Sequence, residues 1–236
     1  MKIVVMNFSG NVGKSTIAGQ LLKPRMKNAP IIAVESINQG ADADGIELDD
    51  KLRGKKYGEL AEKIMMVDDA IVDVGASNVE EFLKQMQQFS GSHSEFDYFI
   101  IPVIKESKVQ ADTINTIRAL NKIGVPASKI RIVFNKLETD ETVIDEFPAV
   151  LAVTTLEKIA TANPDSVIYT NEAFERCKAV KKTLSDISTD KTDYRKALKE
   201  AKSEDEKTEA IRMIQLQQLA VTANKNLDDV YKALFK

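Results

Sequence analysis

Residues 1–22 read MKIVVMNFSGNVGKSTIAGQLL. An apolar run from Ile3 to Met6 leads into the turn Ser9-Gly10-Asn11-Val12-Gly13-Lys14-Ser15-Thr16, and Ile17-Ala18-Gly19-Gln20-Leu21-Leu22 follows with helical character. The order strand, glycine-bearing turn, helix is the context a phosphate-binding loop requires. Such a turn lets backbone amides close on phosphate oxygens, and the helix adds the positive end of its dipole. A lysine then reaches the β- and γ-phosphates and a hydroxyl ligates magnesium. Gly10, Gly13, Lys14 and Ser15 fill those roles, with Asn11, Val12 and Thr16 completing the cradle. The competing reading, a chance glycine turn, explains neither the strand before it nor the helix after it.

Outward from this loop, four more short apolar runs recur: Ile31 to Val34, Ala70 to Val74, Tyr98 to Ile101 and Ile130 to Phe134. Runs of this length without polar alternation suit strands buried on both faces. Amphipathic patterns from Ser77 to Phe89 and from Val109 to Ile123 lie between them. That rhythm predicts an α/β fold with a doubly wound, mostly parallel sheet, whose ligand sits in the loops after the strands. All ten glycines lie at or before Gly124 and no proline follows Pro164, so the remainder reads as mostly helix. From about Leu184, apolar residues at helical spacing predict two or three amphipathic helices. The expected organisation is a nucleotide-binding α/β domain over residues 1–183 and a helical C-terminal extension over 184–236, packed on that core.

Composition sets outer limits. A chain of 236 residues, 43% hydrophobic and 29% charged, can bury a sizeable core and is not disordered. Basic and acidic residues number 33 and 36, so any nucleic-acid contact has to be a local patch. No apolar run approaches the ~20 residues that span a bilayer, and the start lacks a basic region before a long apolar stretch. One cysteine, Cys177, excludes an internal disulfide, and one histidine, His93, makes no zinc cluster. A cytoplasmic location is expected.

The strict G-x-x-x-x-G-K-[ST] loop needs glycine where this chain has Phe8. The octet instead resembles the deviant Walker A motif, K-G-G-x-G-K-[ST]-[ST], of the ParA and MinD family of partitioning and positioning ATPases. The opening MKIVVMNFSGNVGKST looks most like the StbB plasmid stability proteins, a divergent ParA-like branch. The resemblance covers about the first 140 residues, and the tail carries no recognised motif. It implies a P-loop NTPase fold, ATP and Mg²⁺ as cofactors, a nucleotide-dependent homodimer, and a small DNA-binding plasmid partner protein.

Carried over residue by residue, the resemblance assigns further roles. The family's D-x-D-P-Q-G segment corresponds to Glu35-Ser36-Ile37-Asn38-Gln39-Gly40, which keeps a carboxylate at Glu35 but has Ile37 where the family places its water-handling aspartate. Ala70-Ile71-Val72-Asp73-Val74-Gly75-Ala76 fits the strand that ends in acid and glycine: Asp73 would hold magnesium with Ser15, and the Gly75 amide would meet the γ-phosphate. Asn135, within Asn135-Lys136-Leu137-Glu138, takes the place of the residue that reads adenine. Lys136 and Glu138 also resemble the guanine-reading N-K-x-D motif, so GTP stands as the alternative nucleotide. Ser9 replaces the lysine that crosses the family's dimer to the partner's phosphate. With Lys14, Glu35 and Asp73 as the catalytic set and Ser9 and Ile37 in place of charged groups, the expectation is tight Mg-nucleotide binding with slow or partner-stimulated hydrolysis.

Two surface features stand beside bland readings. Arg176, Lys178, Lys181 and Lys182 form a basic cluster suited to weak nonspecific DNA binding, but Glu175 and Asp186 flank it and favour a solvated helix face. The last segment places Leu227, Val230, Tyr231, Leu234 and Phe235 on one face, where Asp228 and Asp229 argue for packing on the core or a partner rather than a membrane. The competing functional readings are a non-hydrolysing nucleotide-binding adaptor and a GTP-dependent accessory protein.

Overall fold

The computed structural model describes residues 1–35, the backbone of 50–52, and 56–235. The strands are β1 (Lys2–Val5), β2 (Ile31–Val34), β3 (Asp50–Leu52), β4 (Ala70–Val74), β5 (Tyr98–Val103), β6 (Ile130–Leu137) and β7 (Val167–Tyr169). They form one sheet in the order β3-β2-β4-β1-β5-β6-β7, and every pairing is parallel. The expected sheet was mostly parallel with five strands; the structure adds β3 and β7. Beyond β6 the described chain is mostly helix, as expected, and β7 is the short strand that interrupts it.

The helices are α1 (Lys14–Thr16), which runs on as a π-helical segment Ile17–Leu22, then α2 (Tyr57–Met65), α3 (Val79–Gln88), α4 (Ser107–Lys122), α5 (Val143–Glu146) and α6 (Pro148–Glu157). After β7 come α7 (Ala173–Ala179), α8 (Leu184–Thr189), α9 (Tyr194–Glu200) and α10 (Glu204–Phe235). Among the described residues, no helix is long and apolar enough to cross a membrane.

Side-chain alternation on the strands divides the core in two. Val4 and Met6 face one way and pack with Leu60, Phe82, Ile117, Phe134 and Phe147 under α2, α3, α4 and α6. Ile3 and Val5 face the other way, with Ile71, Ile100, Val133 and Ile168, and meet Leu21 and Leu22 of the π-helical segment and Cys177, Leu184 and Ile187 of α7 and α8. Leu216, Ala220, Ala223, Leu227, Val230 and Leu234 of α10 are buried in this second cluster. Burying each such leucine or valine stabilises the fold by about 1.5–3 kcal/mol. The apolar face of the last segment therefore lies in the core, as its acidic residues suggested.

Polar contacts fix α10 more narrowly than burial alone would. The Arg25 guanidinium donates to Asp228 Oδ1 over 2.7 Å and to the Asn224 carbonyl over 3.1 Å. The same guanidinium donates to the carbonyls of Gln20 and Leu21, which end the π-helical segment and have no further turn to bond them. Between Asn224 and Asp228, Asn226 accepts from the Tyr169 N–H and donates to the Val167 carbonyl, closing the free edge of β7. Residues 224–228 thus brace both the helix that follows the phosphate loop and the last strand.

Cys177 is buried, and burial pushes its thiol up to about 11, which leaves it an unreactive core residue. His93 is half-buried, with its ring against Gly124.

Candidate nucleotide site

The register of the sheet brings the predicted residues together. Val5 at the end of β1 lies beside Asp73 of β4, so the loop after β1 begins next to that carboxylate. Val34 lies beside Val74, which sets Glu35 next to Gly75. Asn135 lies beside Ile168, joining β6 to β7. All these positions fall at the carboxyl edge of a parallel sheet, where open α/β folds bind ligands.

The loop itself is held from both sides. Asn11 and Gly13 adopt positive φ, 57° and 90°, which asparagine tolerates and glycine accepts without cost. Only glycine fits the second position: a Cβ on Gly13 would lie 2.4 Å from Asn135 Nδ2. Asn135, only 6% exposed, donates from that nitrogen to the Val12 carbonyl over 2.9 Å, while its Oδ1 accepts from the Lys136 N–H. Lys136, itself at φ 60°, donates from Nζ to the Asn11 carbonyl over 3.2 Å. On the other side, the fully buried Asn7 accepts the Ser9 N–H and donates to the Pro102 carbonyl and to Thr113 Oγ1 of α4. Ser9 Oγ donates to Asp112 Oδ2 over 2.6 Å. Ser9 is thus turned into α4 rather than outward, the arrangement a short hydroxyl permits and a lysine does not.

Lys14 is 8% exposed and donates from Nζ to the Ser9 carbonyl over 2.7 Å. Its burial lowers its pKa to about 8, partly opposed by the attraction of Asp73. Ser15 Oγ donates to Asp73 Oδ2 over 2.6 Å. A hydroxyl and a carboxylate in contact are hard oxygen donors that suit magnesium, which takes one or two carboxylates and completes its shell with phosphate and water. Among the described residues there is no cluster of three or more His, Cys, Asp or Glu that would make an all-protein cage.

A cavity of about 510 Å³ opens beside the loop, within the range of small-molecule sites. Of the predicted residues, Asn11, Gly13, Lys14, Ser15, Thr16, Asn135 and Lys136 line it. Gly10 and Val12 do not: Gly10 is exposed and Val12 is buried in the core. Asp73 stands behind Ser15, and Glu35 and Gly75 lie at the ends of their strands outside the cavity lining. The Gly75 N–H donates to the Val34 carbonyl over 3.0 Å, so it meets a γ-phosphate only if the β2–β4 ladder gives up that bond. Asn135 was expected after its strand but lies within β6, at an irregularity in the pairing with β7. Ile37 lies outside the described residues.

Sequence reasoning missed the far wall, Ile168 to Asn171 with Phe174 and Glu175, from β7 and the start of α7. The signal was present in the apolar triplet Val167-Ile168-Tyr169 between turn residues, but three residues are too few for periodicity to register. The Asn7–Thr113 and Ser9–Asp112 contacts were also missed, since each joins residues more than a hundred positions apart.

No family model and no curated protein matches the sequence. Solved structures do match. The MinC:MinD cell division protein complex of Aquifex aeolicus aligns with a TM-score of 0.53 at 12% identity, covering 96% of this chain and 95% of that one. A plasmid partition protein of Borrelia burgdorferi bound to AMPPNP gives 0.51 at 13%, covering 91% and 97%. A ParA family ATPase from Chlorobium tepidum gives 0.50 at 15%, covering 95% and 97%. The fold is that of the ParA and MinD ATPases over nearly the whole chain.

Proposed function

We propose, from the premise that this chain has the ParA/MinD fold, that it is a ParA-like ATP-binding switch of the StbB kind, acting in plasmid stability beside a small DNA-binding partner. The observation that carries this reading is the loop Ser9–Thr16, with Lys14 inside it, the Ser15 hydroxyl on Asp73, and an open cavity walled by Asn135 and Lys136. In this account the loop amides and Lys14 hold the phosphates, and Ser15 and Asp73 hold Mg²⁺. The bound ion would offset phosphate charge. Asn135 has one N–H and one lone pair beyond those it uses on Val12 and Lys136, enough to meet a purine edge. Adenine is preferred over guanine because Glu138, the counterpart of the guanine-reading acid, is exposed and does not line the cavity.

Turnover is slow without a partner. Ser9 is neutral and committed to Asp112, so no cation from this position reaches across a dimer. Charge stabilisation of that kind is worth several powers of ten in phosphoryl transfer. The test is ATP and GTP turnover by the purified protein, alone and with DNA and the candidate partner. Slow hydrolysis that the partner accelerates supports the switch. Binding without turnover under any condition favours the adaptor reading, in which the nucleotide is structural. Turnover as fast as that of stimulated ATPases in the protein alone contradicts the proposed role of Ser9.

A further inference from the structure

A second cavity, of about 400 Å³, lies between α9 and α10 and shares no lining residue with the nucleotide site. Ala197, Ala201, Ala210, Met213 and the ring of Tyr194 make its apolar surface, with Ala210 and Met213 buried at its floor. Alanines leave space there that a larger side chain would fill. The charged residues around it are Glu200, Glu206 and Glu209. Seven basic residues lie between positions 191 and 212 (Lys191, Arg195, Lys196, Lys199, Lys202, Lys207 and Arg212), and none of them lines the cavity. Charge is therefore sorted by sign in a segment where basic and acidic residues are otherwise mixed.

The glutamates are fixed to different degrees. Glu206 Oε2 accepts the Lys202 N–H over 2.6 Å and is tied to the start of α10. Glu200 and Glu209 make only loose pairs, with Lys196 at 3.8 Å and Arg212 at 3.6 Å, and are free to exchange them. Exposed pairs of this sort contribute about 0–1 kcal/mol, so a better-placed cation displaces them easily.

We infer that this groove is a docking site for a basic amphipathic segment of a partner protein, which inserts apolar side chains between Ala197 and Met213 and sets lysines or arginines against Glu200 and Glu209. A polyanion or an anionic membrane meets the wrong sign of charge here. The groove is carried by α10, the helix whose residues 224–228 brace β7 and the π-helical segment, so its occupant grips the same rigid element that supports the nucleotide site. The inference goes beyond the nucleotide reading and does not depend on it.

The test uses the full chain without nucleotide and a fluorescent helical peptide with leucines on one face and lysines on the other, read by anisotropy at physiological salt. Saturable one-to-one binding is expected. Replacing the peptide's lysines with glutamate, or its leucines with serine, should each weaken binding by at least about tenfold. Reversing the rim with Glu200→Lys and Glu209→Lys together, and separately filling the groove with Ala197→Phe, should do the same. These positions are exposed, so the fold is retained, and circular dichroism confirms it. Glu80→Lys on α3 should leave binding unchanged. No saturable binding, or binding that survives both groove changes, or equal loss with Glu80→Lys, overturns the assignment. Self-association of the chain that Ala197→Phe abolishes overturns it too, since the occupant is then a second copy.

Discussion

Asn135 Nδ2 donates to the Val12 carbonyl over 2.9 Å, and this bond ties the end of β6 to the phosphate loop across 123 positions of sequence. It also explains the glycine beside it. At φ 90° a side chain on residue 13 is strained, and its Cβ would fall 2.4 Å from the Asn135 nitrogen. Gly13→Ala should therefore cost about 1–3 kcal/mol of stability and abolish ATP binding, because relief requires the loop or Asn135 to move. Thermal unfolding and nucleotide titration of the variant check both effects.

The lowered pKa of Lys14 makes nucleotide affinity depend on pH. Free, the ammonium loses its proton near pH 8 rather than near 10.5, because burial disfavours its charge. Bound phosphate restores a partner for that charge and raises the pKa, so binding takes up a proton above pH 8. Affinity should be flat below pH 7 and fall as pH rises past 8, approaching about tenfold per unit. The sign for folding is opposite: the depressed pKa penalises the folded state at low pH, and the penalty fades as pH rises from 8 toward 10.5. Isothermal calorimetry at pH 7 and 9.5 in two buffers of different ionisation heat reads affinity and proton uptake together.

The contact between Ser15 and Asp73 predicts a metal-specific defect. Asp73→Asn keeps the shape and a hydrogen bond to the Ser15 hydroxyl but loses the charge. ATP affinity with Mg²⁺ should fall by about ten- to hundredfold, while affinity in EDTA changes little. Titrations with and without EDTA separate this from a folding defect, which would lower both.

Arg25 links the π-helical segment to α10, and its removal should loosen the molecule more than an exposed ion pair would. Arg25→Ala leaves the carbonyls of Gln20, Leu21 and Asn224 without that donor. The expected loss is about 2–3 kcal/mol. Asp228→Asn, which keeps an acceptor on a half-exposed partner, should lose less. Urea unfolding of the two variants gives the comparison.

The sequence was most readable where one short stretch carried both structure and chemistry. Residues 1–22 fixed the first strand, the loop and the helix because glycine, lysine and hydroxyl stand at spacings with a direct physical meaning. Strand β7 escaped because three residues show no period, and with it went the far wall of the cavity from Ile168 to Glu175. The partners of Asn7, Ser9 and Asn135 were unreadable for a different reason: each bond joins elements brought together only by the strand order. The tail was legible as amphipathic helix but not as to what it touches, since periodicity marks a buried face without naming its neighbour.

Calorimetric titration of the full chain with ATP in magnesium, set against the Lys14→Ala variant, decides whether the Ser9–Thr16 loop holds a nucleotide. Saturable binding of one ATP per chain is expected, and Lys14→Ala should abolish it while the variant stays folded. Absence of saturable ATP binding by the native chain, or binding that Lys14→Ala leaves intact, would contradict that role of the loop.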